Sequence, residues 1–220
     1  MQQNAAGLAD FHKARFEALW DRAAGGASAT AGSVYGCLTQ LYGEPHRHYH
    51  TLEHIGRCLA EFDEVAALAE DPDSVELALW FHDAVYTPCA VDNEWRSAEL
   101  FRHCAEGHTE PALQQRVCDL IMATTHRQAP ERRDECLIAD IDLAGFGLPW
   151  EVFERDSQHL RVEFQQVADQ KYYPDLLGFF LVLQERPVFF RTKFFQGRYE
   201  SNARANLARA IAGLHARGYR

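Results

Sequence analysis

The residues whose types and spacing suit a divalent cation are His54, the adjacent pair His82 and Asp83, and two carboxylates much later in the chain, Asp140 and Asp142. The pair closes the run Trp80-Phe81-His82-Asp83, near the end of the apolar segment Val75 to Tyr86. Burying an imidazole and a carboxylate together is costly unless something pairs with them, and a divalent ion would do so. Neighbouring residues point about 100° apart around a helix. His82 and Asp83 therefore reach one ion only at a helix flank, with another helix completing the shell.

Further side chains are candidates for the surrounding chemistry. Glu94, opening a helix just beyond the pair, could act as general base, and its simpler role is to favour the helix dipole behind an Asp92 cap. Arg47, in the His-rich turn 46 to 50, is a candidate phosphate clamp because its planar fork can bind two oxygens at once. A plain surface arginine is the competing reading. His50 lies four residues before His54 and suits a substrate or hydrogen-bonding role better than coordination. His126 ends an apolar helix and suits either a carbonyl partner or the substrate.

The ordered set resembles the HD superfamily of metal-dependent phosphohydrolases, and more narrowly its bacterial branch of predicted HD phosphohydrolases of about this length. The strings that carry the resemblance are YHTLEHI at 49–55, WFHDAVY at 80–86, DNEWRSAEL at 92–100, ADIDLAGFG at 139–147 and ARANL at 203–207. The resemblance implies an all-α, single-domain HD-type bundle, with a metal-site core at about 46–147 and further helices at about 150–220. It implies metal ligands His54, His82, Asp83 and Asp142, with Asp140 as the alternative fourth ligand. Binuclear members hold a second ion with additional histidines, and because only His126 is well placed for that here, with His103 and His108 beside it, one ion is expected. Asp83 or Glu94 would take a proton, while Arg47, His50 and His126 would meet a small phosphorylated substrate, a nucleotide by resemblance alone. The ion, one of Mn, Fe, Co, Ni, Zn or Mg, would lower the pKa of a water and draw charge from the phosphoryl oxygens. Two other implied readings are a nucleotide-sensing module without turnover and a di-iron oxygenase.

The elements that must position these groups follow from apolar spacing. Leu8, Phe11, Phe16, Leu19 and Trp20 predict an amphipathic helix over 8–22, and Val34 to Tyr42 predicts a second that stops at Gly43. Thr51 is the expected N-cap of a helix to about Leu68, with Ile55, Cys58, Leu59, Phe62 and Val65 on one face. The helix bearing the His-Asp pair is expected to be capped by Asp73 or Ser74. Helices follow at 93–104, 111–124, 150–170, 173–183 and from Tyr199 onward, with 127–135 a loop and 137–146 open between helix and strand. No alternation of strand length competes, which makes the expected fold all-α.

Composition closes off other classes. With 47% hydrophobic and 25% charged residues the chain is an ordinary globular protein, large enough for one sizeable core. The net charge of −10 argues against a nucleic-acid polymer as partner. No run of 18 apolar residues or basic leader is present, so neither a membrane span nor a secretory signal is expected and the cytoplasm is the default. The six cysteines include no C-x-x-C pair and are expected to be buried free thiols. The aromatic C-terminal helices are compatible with a homodimer without requiring one.

Overall fold

The computed structural model describes the backbone from Gln2 and the side chains from His12 to Arg220, so the expected core positions Leu8 and Phe11 lie outside the described side chains. Every regular element among the described residues is helical, as the apolar spacing requires. None of these helices is long and apolar enough to cross a membrane. The chain divides into two compact units, Met1–Ile138 and Ala139–Arg220.

The first unit is built around a short helix. It comprises α1 (Gln2–Ala23), α2 (Ala31–Tyr42), α3 (Leu52–Val65) with a 3-10 turn at Ala66–Leu68, α4 (Pro72–Phe81), α5 (Asn93–Ala105), α6 (Pro111–Ala123) and most of α7 (Arg133–Asp142). Every residue of α4 from Ser74 to Phe81 is buried. A helix without a polar face must be covered on all sides, and α1, α3, α5 and α6 pack around it. Phe16, Tyr35 and Phe101 surround Trp80 and Phe81 with ring centroids between 5.1 and 6.4 Å apart. Arg15 of α1 adds a polar tie, with its guanidinium donating to Asp63 of α3 and to Glu76 of α4.

Both ends of α4 differ from expectation. Asp71 caps α4 instead of Asp73 or Ser74; its Oδ1 accepts from the Ser74 amide at 3.1 Å. Pro72 then takes the first helical position, where a missing N–H is harmless. At the other end α4 stops at Phe81, so His82 is its C-cap and Asp83 lies beyond it. The picture of both ligand types on one regular helix is thereby corrected. The ambiguous stretch after Glu135 is the helix α7, which runs into a 3-10 segment, Leu143–Gly147.

The second unit consists of that segment with α8 (Trp150–Glu163), α9 (Asp169–Glu185) and α10 (Lys193–Ala216). Phe146 sits among Phe153, Phe180 and Phe189, with centroids 5.2 to 6.1 Å away. The α9–α10 connection is held by carboxylates: Glu200 accepts the Phe189 and Phe190 amides, and Asp140 accepts those of Arg191 and Thr192. With Thr192 thus fixed as N-cap, α10 starts at Lys193, earlier than the expected Tyr199. Asn206 donates to the carbonyls of Phe146 and Leu148 at 2.8 Å each, which seats the 3-10 segment on α10.

Gly147 is needed for that seat, since a Cβ there would lie 2.4 Å from the Tyr199 Cβ. Gly147→Ala is expected to destabilise the chain by about 1–3 kcal/mol through overpacking. Urea unfolding of the variant checks this, and an unchanged midpoint would contradict the packing described.

Candidate metal centre

The first imidazole is positioned by the start of α3. The Thr51 side chain accepts from the Glu53 amide, as expected of the N-cap, and starts the helix so that His54 falls in its first turn, buried. Residues four apart share a helix face, and Cys58 accordingly stands beside His54. Its sulfur is 3.6 Å from His54 Nε2.

The second imidazole is positioned by the way α4 ends. The last carbonyls of a helix have no intrahelical donor and must find one elsewhere when buried. The Ala78 carbonyl accepts the His82 amide, and the Leu79 carbonyl accepts from His82 Nδ1 at 2.9 Å. The Trp80 carbonyl accepts from the Tyr42 hydroxyl at 2.9 Å, and the Phe81 carbonyl from the Ala84 amide. A carbonyl can only accept, so Nδ1 of His82 carries a proton, and a neutral ring would leave Nε2 as the nitrogen able to bind a metal.

Beyond the helix, side chains hold the backbone where no ladder exists. Arg47 donates to the carbonyls of Asp83 at 2.7 Å and Ala84 at 2.8 Å, and also to that of His50. Ser97 of α5 donates to the Val85 carbonyl and accepts its amide, and His46 donates to the Tyr86 carbonyl. Asn93 pairs with both the amide and carbonyl of Thr87. Each carbonyl from Asp83 to Thr87 therefore accepts from a side chain, and Asp83 is fixed without being helical.

These constraints bring the donors together. His54 Nε2 and His82 Nε2 are 3.3 Å apart, and Asp83 Oδ2 lies 3.4 Å from the first and 3.0 Å from the second. The ligand atoms of His54, Cys58 and His82 all lie within 4.8 Å of one another. A tetrahedral shell with metal–nitrogen or metal–oxygen bonds of about 2.0–2.1 Å and metal–sulfur bonds of about 2.3 Å has edges of about 3.3 Å, or about 3.6 Å to sulfur. The spacings match those edges, and the cluster can hold a metal ion.

The Asp83 carboxyl is the acidic member of the cluster. Burial is the largest influence on the Asp83 carboxyl and pushes its pKa up. While their rings are protonated, the charges of His82 and His50, with the bonds from the His54 and His82 imidazoles, outweigh it and hold Asp83 well below the usual carboxylate range. The group is an anion with 15% of its side chain exposed, while the His54 and His82 side chains are 4% and 1% exposed. Asp83 is thus the most exposed of these three donors.

The other expected residues fare unequally. Arg47, expected at a phosphate, has a side chain that is 0% exposed and bonded to three backbone carbonyls and Glu44. That role is corrected: Arg47 is a positioning residue for the Asp83 segment. His50 is half-buried and stacks on Tyr86 at 4.0 Å. Glu94 occupies the first turn of α5 behind Asp92, whose side chain makes no capping bond. His126 takes a left-handed φ of 53° just past the end of α6, and does not belong to the His54–Cys58–His82 group.

Asp140 and Asp142 belong to the second unit and are separable within it. Both oxygens of Asp140 are taken by the Arg191 and Thr192 amides at 2.7 Å, so this carboxylate is a structural clamp. Asp142 ends α7 with no capping bond to the 3-10 segment that follows. The residue missed from sequence is Cys58, read there only as a core thiol. The signal was its i+4 spacing from His54.

Compared with protein-family models, with curated proteins and with solved structures, the chain matches none.

Arg47 distinguishes positioning from phosphate binding. Arg47→Met keeps much of the buried volume but leaves the Asp83 and Ala84 carbonyls short of donors, and is expected to cost about 2–4 kcal/mol of stability. Chemical unfolding measures this. A phosphate clamp would instead leave stability unchanged.

Proposed function

We propose that this protein is a metal-dependent phosphohydrolase of the HD type, acting on a small phosphate ester or anhydride. The observation that carries the reading is the coordination-edge spacing of His54 Nε2, His82 Nε2 and Asp83 Oδ2, three donors from segments far apart in sequence. The order of the motif strings supports it, and the nucleotide as substrate class rests on the resemblance alone.

His54, His82 and Asp83 would hold the ion, with Asp142 as the further carboxylate on the resemblance, since Asp140 is engaged by amides. Cys58 adds a sulfur donor to the set. An ion held there would supply charge to the phosphoryl oxygens and lower the pKa of a water. Asp83, which is also a ligand, or Glu94 would take the proton. His50, half-buried and stacked on Tyr86, is the remaining candidate for the substrate oxygens once Arg47 is accounted for. His126 keeps its sequence argument only.

The test is a phosphate-release screen over nucleotides, sugar phosphates and pyrophosphate, with Mn, Fe, Co, Ni, Zn and Mg added in turn. Turnover that is lost with a chelator and restored by one metal is the expected result. Tight nucleotide binding without turnover would replace the hydrolase with a sensor, and two bound irons with O₂ consumption would replace it with an oxygenase.

Two sets of variants probe the ligands. His82→Ala and Asp83→Ala are each expected to abolish stoichiometric metal retention while circular dichroism stays helical; unchanged metal content in either removes that residue from the shell. Cys58→Ser exchanges a soft donor for a hard one, and is expected to weaken Zn binding about tenfold or more while leaving Mg or Mn little changed. Equal losses for all metals would make Cys58 a packing residue.

A further inference from the structure

The second unit contains a cleft of about 490 Å³ between α8, α9 and α10, whose wall includes Trp150, Tyr172, Tyr173, Arg161, Arg209 and Arg217. It shares no residue with the metal centre. Each of its three arginines lies over an aromatic ring of the same wall: Arg209 over Trp150 at 3.9 Å, Arg217 over Tyr173 at 3.9 Å, and Arg161 over Tyr172 at 4.8 Å. Stacking of this kind desolvates one face of a guanidinium and fixes its plane while its N–H edge stays open for acceptors.

The three are not equivalent. Arg161 is committed to Asp169 and to the carbonyls of Phe164 and Val167. Arg217 is engaged with Tyr173 and Tyr219. Arg209 makes no hydrogen bond or ion pair among the described residues, although it is held against Trp150. Glu154 is the one carboxylate on the wall, and with Arg161 paired to Asp169 it leaves Arg209 and Arg217 as the wall's other charges, on a chain whose net charge is −10. A stacked cation without an acceptor, beside aromatic walls in a cleft of small-molecule size, has the makings of a ligand site.

We infer that this cleft binds a small planar organic anion, its ring against the aromatic wall and its carboxylate or phosphate oxygens on the Arg209 fork. Gly213 also lines the cleft, and a Cβ there meets nothing within 4 Å. A larger side chain at that helical position therefore projects into open space, filling the cleft without removing a charge or disturbing the packing.

The experiment is calorimetric titration of the full chain with phenylphosphonate and with benzoate, in EDTA so that no metal takes part, and with inorganic phosphate alone. One equivalent of the ring-bearing anions is expected to bind, at least about tenfold more tightly than inorganic phosphate; the tighter of the two identifies phosphate or carboxylate as the natural group. Arg209→Ala removes charge-assisted bonds and is expected to weaken binding about tenfold or more. Gly213→Leu is expected to weaken it at least as much with the guanidinium intact. Absence of binding, equal binding of inorganic phosphate, or unchanged affinity in both variants would overturn the proposal. Because the readout is binding without metal, it stands or falls apart from phosphohydrolase activity.

Discussion

The arrangement of the first unit depends on one constraint, that a fully buried helix has to end inside the protein. The last carbonyls of α4 cannot turn to water, and a continued helix would carry Asp83 about 100° around the axis from His82. The chain instead satisfies those carbonyls one by one, through the His82 ring, the Tyr42 hydroxyl and the Ala84 amide. The carbonyls that follow are met by Arg47, Ser97, His46 and Asn93. Satisfying the backbone and aiming the ligand nitrogen are here the same act, because the bond from His82 Nδ1 to Leu79 orients Nε2 toward His54 and Asp83.

The cost of this design is a buried group of two imidazoles, a carboxylate and a thiol. Such a group is tolerable when each member is held by others and the charge is balanced. Arg15 contributes at a distance by tying α1 to both α3 and α4, the helices that carry His54 and lead to His82. Gly56, on α3, accepts the His12 ring so closely that a Cβ there would lie 3.0 Å from it. The spacing of the cluster thus rests on the packing of α3 against α4, and on polar ties that would be hard to replace singly.

Much of this was legible in the sequence, and what was not has definite causes. Thr51, a β-region cap before an apolar-periodic run, announced α3 and the place of His54. The helical classes followed from apolar spacing. The early end of α4 was hidden because Ala84, Val85 and Tyr86 continue the apolar pattern, and only donors from remote segments stop the helix. Arg47 looked like a surface fork because its partners are backbone carbonyls, which have no sequence signature. Cys58 was read as core since a buried thiol and a thiol ligand look alike until the partner at i−4 is seen to share its face. Asp140 and Asp142 could not be told apart by spacing; the Arg191 and Thr192 amides, some fifty residues later, make the distinction.

These features come to one claim, that the buried imidazoles and their neighbours can hold a metal ion. X-ray absorption at the zinc edge, on protein loaded with one equivalent, tests it most directly. The account predicts a mixed first shell with imidazole scattering from two histidines, one sulfur, and oxygen. A shell of oxygens alone, or failure to retain the equivalent, would contradict it.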